Sequence, residues 1–125
     1  MRSIEAHVPV GGAEKTRLLK RACALLFPVQ WEEAFGLVMI EAMACGTPVI
    51  ALARGAVPEI VTPGENGAYA DDAGELPSLV DRVAALDRAR VRASVQQRFS
   101  HHRMVSAYVD LYRRVLAETA ADREV

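Results

Sequence analysis

The sequence is poor in cysteine, shows no excess of either charge and has no long uninterrupted apolar run. Its two cysteines, Cys23 and Cys45, each lie in an apolar stretch, so we expect both to be reduced and buried rather than disulfide-bonded or metal-bound. The three histidines lack metal-ligand spacing and have no candidate nucleophile beside them. Fifteen basic and sixteen acidic side chains leave a formal charge of -1, which argues against a nucleic acid or another polyanion as partner.

A membrane span is not expected either. The longest weakly charged stretch, residues 34–53, contains Glu41 and the breaker Gly46-Thr47-Pro48, and it therefore cannot form one spanning helix. The first residues lack the apolar core of a signal peptide, which makes the cytoplasm the expected location. With 125 residues, 51% of them apolar and 25% charged, the chain has the size and composition of one globular domain. We expect residues 1–125 to form that domain, with about 4–118 structured.

Short apolar runs predict the strands of a parallel sheet. Residues 24–27 and 48–52 are typical of strands buried on both faces, and residues 68–70 form a shorter one. Residues 4–8 could form a further strand. Because strands and helical patterns alternate, we expect an α/β fold, a Rossmann-like parallel sheet with helices on both faces. The predicted helices cover about 14–22, a segment ending at Cys45, 58–61, a segment from the cap Asp72 to Val83, one with Val91, Val95 and Phe99, and one over 105–116.

The loop from 29 to 36 is the first candidate for a binding site. In a parallel sheet, ligands bind outside the carboxyl ends of the strands, where loops lead into helices. Phe35, Gly36 and Leu37 stand at the start of a predicted helix, where free N–H groups and the helix dipole favour an anion such as a diphosphate. The same residues can equally form an ordinary helix start that binds nothing.

Glu41 is the only charged residue between Ala34 and Ala53, in a helix that otherwise has the pattern of a buried one. It lies roughly 7.5 Å along the helix from Gly36, a distance at which the ribose hydroxyls of a nucleotide could lie. The alternative is that Glu41 faces an exposed stripe or pairs with an arginine.

Two further side chains could reach the same anion site. Glu33 precedes the helix, so its carboxylate can project over the phosphates toward a sugar hydroxyl, or it can be a solvated loop acid. Glu32 is the better candidate for that structural role or for a helix cap. Arg54, at the end of a strand, could reach a phosphate or remain solvated.

Residues 33–51 carry a resemblance to a known family. The run from Glu33 to Glu41, with seven residues between the two glutamates, followed by residues 42–51, closely resembles the motif of group 1 (family 4) glycosyltransferases. The similarity continues through residues 55–61 and 63–67, and more loosely from about Val8 to Leu116, so it covers most of the chain.

The resemblance implies the donor-binding C-terminal half of a GT-B fold, incomplete at its N-terminus. Such enzymes transfer a sugar from a nucleoside diphosphate donor to an acceptor with retention of configuration, without a metal or other cofactor. The resemblance implies these contacts: Glu33 with the transferred sugar, the backbone of Phe35, Gly36 and Leu37 with the diphosphate, Glu41 with the ribose, and Val8 near the base.

The sequence departs from the family pattern in two respects. Gly55-Ala56 stands where the family commonly has two glycines. The acceptor-binding domain, and the strand and loop that supply an arginine and a lysine to the diphosphate, do not precede Ile4. We therefore expect a domain that binds a nucleotide-sugar but does not catalyse transfer to its unknown acceptor unaided.

Two other hypotheses about the function remain open. The chain could be a non-catalytic relic or interaction module that self-associates through the surface which the N-terminal GT-B domain would cover. It could also be a sheet domain of another nucleotide-sugar enzyme, such as an epimerase. In the GT-B reading, Tyr108, Tyr112 and Leu116 on the last helix are expected to lack their usual cover.

Overall fold

A computed structural model describes residue 6 together with residues 9–32 and 35–123. The strand expected at residues 4–8, and the site candidates Val8 and Glu33, lie outside these described residues.

The described sheet has three parallel strands. They are β1 (Leu25–Phe27), β2 (Val49–Leu52) and β3 (Gly67–Ala70), in the spatial order β1-β2-β3. Leu25 pairs with Val49, which in turn pairs with Gly67. The strand positions and their parallel direction confirm the predicted α/β architecture.

Helices cover both faces of the sheet. The central strand β2 shows this directly, because Val49 and Ala51 pack into one apolar cluster while Ile50 and Leu52 pack into the other. All four residues are buried, as the sequence predicted. The helices are α1 (Gly12–Arg21), α2 (Leu37–Ala44), α3 (Val57–Ile60), a 3-10 helix (Ala73–Leu79), α4 (Val80–Ala84), α5 (Arg88–Arg98) and α6 (His101–Arg123).

Three details differ from the sequence predictions. Leu26 of β1, expected to be buried, is 57% exposed, because the 3-10 helix and α4 pack mainly over β2 and β3. The two cysteines, also expected to be buried, are not: Cys23 is exposed in the bend between α1 and β1, and Cys45 is half-buried. The segment after Asp72 begins as a 3-10 helix rather than an α-helix. Pro77 accounts for this, since it lacks an N–H group and disfavours α-helical geometry at the residue before it. The Asp72 cap itself is confirmed by a 3.0 Å bond from the Gly74 N–H.

Arg88, at the start of α5, joins three elements. Its guanidinium donates to the carbonyls of Ala22 (2.7 Å) and Lys20 (2.9 Å) and to the Thr47 hydroxyl (2.8 Å). The buried Thr47 hydroxyl donates in turn to the Leu19 carbonyl. Carbonyls at the end of a helix have no partner within it, so this network satisfies those of α1 and fixes the helix against α5 and the start of β2.

The turn before β3 is stabilised by a buried side chain. Asn66 is buried, and its side-chain oxygen accepts from the Thr62 N–H at 2.8 Å. Its amide nitrogen donates to the Ser94 hydroxyl at 3.2 Å and to the Ile60 carbonyl at 3.3 Å. Buried polar groups are stable only when paired in this way, so Asn66 links α3, β3 and α5.

Gly67 gives a direct test of the sheet register. A Cβ at this position would lie 2.1 Å from the Val49 carbonyl oxygen, a backbone atom that cannot turn aside. We expect Gly67→Ala to lower the free energy of unfolding by about 3 kcal/mol, at the upper end of overpacking costs. The matched control is Gly11→Ala, where an added Cβ meets nothing within 4 Å. Urea unfolding of both variants measures the difference, and a loss equal to that of the control would contradict the register.

Candidate functional site

The candidate site lies at the carboxyl end of β1, where a loop leads into α2. The first residue of α2 is Leu37, and Gly36 is its N-cap with φ 70° and ψ 54°. This left-handed conformation favours glycine. Gly36 is buried, whereas Phe35 and Leu37 on either side are exposed, and no described side chain caps the helix. The structure therefore places Phe35, Gly36 and Leu37 at a helix start, where N–H groups without a partner in the helix favour an anion.

Glu41 lies farther along α2 and has a cationic partner. Its Oε2 is 2.7 Å from Nζ of Lys15 on α1, and the two side chains are 32% and 39% exposed. The sequence had raised pairing with an arginine as an alternative to ribose binding, and the observed partner is a lysine. Sequence reasoning missed Lys15, because the way in which α1 packs against α2 cannot be deduced from either helix alone.

The loops after β1 and β2 are joined by Glu32. Its carboxylate accepts a hydrogen bond from the Gly55 N–H. Gly55 has φ 53°, in the region that favours glycine, but Ala56 has φ -75° and a buried side chain in the core. The departure from the family's two glycines is thus explained, because only the first position requires one.

Arg54 has hydrogen-bond partners within the fold. Its guanidinium donates to the carbonyls of Asp71 (2.9 Å) and Ala53 (3.2 Å), at the ends of β3 and β2. It therefore holds these strand ends together.

An open cavity of about 670 Å³ lies between the start of α2 and α6. Phe35, Leu37 and Ile40 line it from one side, and Met104 and Tyr108 from the other. No motif in the sequence indicated it, since it depends on how α6 leaves the domain. It adds apolar surface beside the candidate anion site.

The described side chains of α6 are exposed along its whole length. Tyr112 is 61% and Leu116 69% exposed, and Tyr108 is exposed as well, as the sequence predicted. With Val105 they share one face of the helix, opposite a polar face that includes Ser106. An apolar face of this kind favours a protein surface as partner.

Two sequence candidates lack a structural description. Glu33 and Val8 are outside the described residues, so their roles stay predictions. Within the part of the chain that is described, no three acidic, cysteine or histidine side chains are grouped to hold a metal. None of its helices has the length and apolar character needed to cross a membrane.

Comparison with sequence families gives an independent result. The model of the family "Glycosyl transferases group 1" matches residues 3–98. The chain is 35% identical over 121 residues to the D-inositol 3-phosphate glycosyltransferase of Mycolicibacterium smegmatis, covering 91% of this chain and 27% of that protein. It is 33% identical to the N-acetyl-alpha-D-glucosaminyl L-malate synthase of Bacillus anthracis, over 75% of this chain and 27% of that one. The chain thus spans about a quarter of the length of these relatives.

Comparison with solved structures gives the same family. AviGT4, a glycosyltransferase involved in avilamycin A biosynthesis, matches 87% of this chain with 34% of its own, at a TM-score of 0.70 and 30% identity. HepE of Anabaena in complex with UDP-glucose matches 89% of this chain with 30% of its own, at a TM-score of 0.62 and 26% identity. Given the family match and relatives above 30% identity, the chain belongs to the group 1 glycosyl transferases, and its parallel sheet with helices on both faces is part of their GT-B fold.

Proposed function

We propose that this chain is the donor-binding part of a retaining, metal-independent glycosyltransferase. The observation that carries the proposal is the start of α2, where the buried Gly36 lies in the left-handed region with no described side-chain cap. A diphosphate there accepts hydrogen bonds from free backbone N–H groups and benefits from the positive end of the helix dipole. The HepE structures hold UDP and UDP-glucose, which makes these the first ligands to test.

The remaining contacts follow from the order of groups in a nucleotide-sugar. Glu41, farther along α2, accepts hydrogen bonds from the ribose hydroxyls, and Val8 lies near the base. Glu33, on the other side of the phosphates, binds a hydroxyl of the sugar to be transferred. The roles of Glu33 and Val8 rest on the motif alone, whereas Glu41 also has a described position beside Lys15.

In the proposed reaction, the bond between the anomeric carbon and the β-phosphate oxygen breaks while the acceptor oxygen bonds to the same face of that carbon. The acceptor's proton passes to an oxygen of the leaving diphosphate. The protein's contribution is to stabilise the developing charge on the diphosphate, through the N–H groups at the start of α2. Glu33 positions the sugar and does not attack it.

Transfer also requires an acceptor site, and the relatives are about four times longer than the stretch that they share with this chain. We therefore propose that donor binding belongs to this domain and that catalysis needs the acceptor-binding GT-B domain.

Nucleotide binding tests the proposed function directly. Calorimetric titrations with UDP, GDP, ADP and their common sugar conjugates should show selective binding of one nucleotide, unchanged by EDTA. Glu41→Ala should weaken it about tenfold, because charged hydrogen bonds to the ribose are lost. Glu33→Ala should abolish discrimination between sugars.

The matched control is Glu65→Ala, which removes a carboxylate from an exposed turn. Absence of binding for every nucleotide at millimolar concentration would overturn the donor-site proposal.

Substitution of Gly36 distinguishes an effect on ligand binding from an effect on stability. Gly36→Ala and Gly64→Ala each force a side chain into a positive φ, 70° and 82° respectively, so each should lower the free energy of unfolding by about 1–2 kcal/mol. Only Gly36→Ala should also weaken diphosphate binding, because its methyl group stands at the helix start. Equal affinity of the two variants for the nucleotide would place the phosphates elsewhere.

A second candidate function, a self-associating interaction module, is favoured by the apolar face of α6. We expect the isolated chain to form dimers at high concentration by packing these faces together, since this removes the exposed side chains from water. Leu116→Glu should restore the monomer, whereas Ser106→Glu on the polar face should not. Sedimentation measurements report both. Dimers that bind no nucleotide would favour this second function over donor binding.

A further inference from the structure

We propose that Lys15 is a positioning residue for the donor's ribose, acting through Glu41. Its ammonium group holds the Glu41 carboxylate in the orientation that accepts hydrogen bonds from the ribose hydroxyls. This inference rests on the proposed function and adds to it a residue on a different helix.

The geometry of the pair leaves room for a ligand. Nζ of Lys15 lies 2.7 Å from Oε2 of Glu41, and about a third of each side chain is exposed. An ionised carboxylate offers about four acceptor positions, and one ammonium donor occupies one of them. Glu41 can therefore keep its ion pair and still accept hydrogen bonds from two neighbouring hydroxyls.

The location of Lys15 is set by packing. Leu19 lies four residues later on α1, on the same face of the helix, and is buried in a cluster with Met39 and Met43 of α2. The Thr47 and Arg88 hydrogen bonds to the end of α1 fix that helix further. Lys15 is thus directed at α2 by a buried neighbour. The ion pair between Arg113 and Asp110, by contrast, joins two largely exposed side chains of one helix at 4.0 Å.

Two other roles for Lys15 predict different behaviour. A plain surface ion pair affects stability slightly and ligand binding not at all. If Lys15 attracted the diphosphate directly, its removal would weaken the binding of every diphosphate equally, whether or not a ribose hydroxyl is present. Only the positioning role makes the loss of affinity in Lys15→Met depend on the ribose.

The experiment measures dissociation constants by NMR titration of the ¹⁵N-labelled chain with UDP, 2′-deoxy-UDP and inorganic pyrophosphate. Lys15→Met should weaken UDP binding about fivefold, the loss of one well-oriented charged hydrogen bond. It should weaken 2′-deoxy-UDP binding less, because that ligand keeps one of the two hydroxyls, and it should change pyrophosphate binding little. Lys15→Arg should restore most of the UDP affinity. Lys20→Met, the same change on a different face of α1, should bind all three ligands as the wild type does. Adding Lys15→Met to Glu41→Ala should cause no further loss, because Lys15 acts through Glu41.

The outcomes separate the two proposals. If the wild-type chain binds UDP but Lys15→Met weakens all three ligands equally, or weakens none, the positioning role is overturned and the donor site stands. Additive losses in the double variant would also overturn it. If the wild-type chain binds no UDP, the proposed function fails and the role of Lys15 fails with it.

Discussion

The guanidinium group of Arg88 fixes the end of α1 against the rest of the domain. Arg88 binds the carbonyls of Ala22 and Lys20 and the hydroxyl of Thr47, and Thr47 binds the Leu19 carbonyl. The Lys20 and Ala22 carbonyls lie at the end of a helix, beyond the reach of its own N–H groups, so Arg88 helps to fix the direction of α1. The close approach of Gly46 to the Arg88 backbone, 3.0 Å for an added Cβ, sets the end of α2 against the same residue. Together with the buried Leu19, this anchor sets Lys15 beside Glu41.

The sheet has a buried central strand, and the candidate site lies at the carboxyl ends of its strands. β2 is buried on both faces, and the loops after β1 and β2 meet through the bond between Glu32 and the Gly55 N–H. The start of α2, which no described side chain caps, lies at that end of the sheet. Leu26 and the apolar side chains of α6 are exposed and belong to neither core cluster. A domain that spans about a quarter of its relatives' length is expected to have such surfaces.

Features that depend on a few neighbouring residues could be predicted from the sequence. The buried strand β2, the cap at Asp72 and the position of Gly36 at a helix start are of this kind, since each is set by local pattern or backbone preference. The exposure of Leu26 and the partner of Glu41 could not be predicted, because each depends on where a distant helix packs. The family resemblance supplied the assignment of Glu33, which the residue pattern alone left open.

The start of α2 is the proposed binding site for the donor's diphosphate. Mapping the amide shifts of the ¹⁵N-labelled chain during a titration with UDP tests this proposal most directly. We expect the largest shifts at Gly36 and Leu37, with smaller ones along α2 toward Glu41. Shifts confined to α6, or no shifts at millimolar UDP, would contradict it.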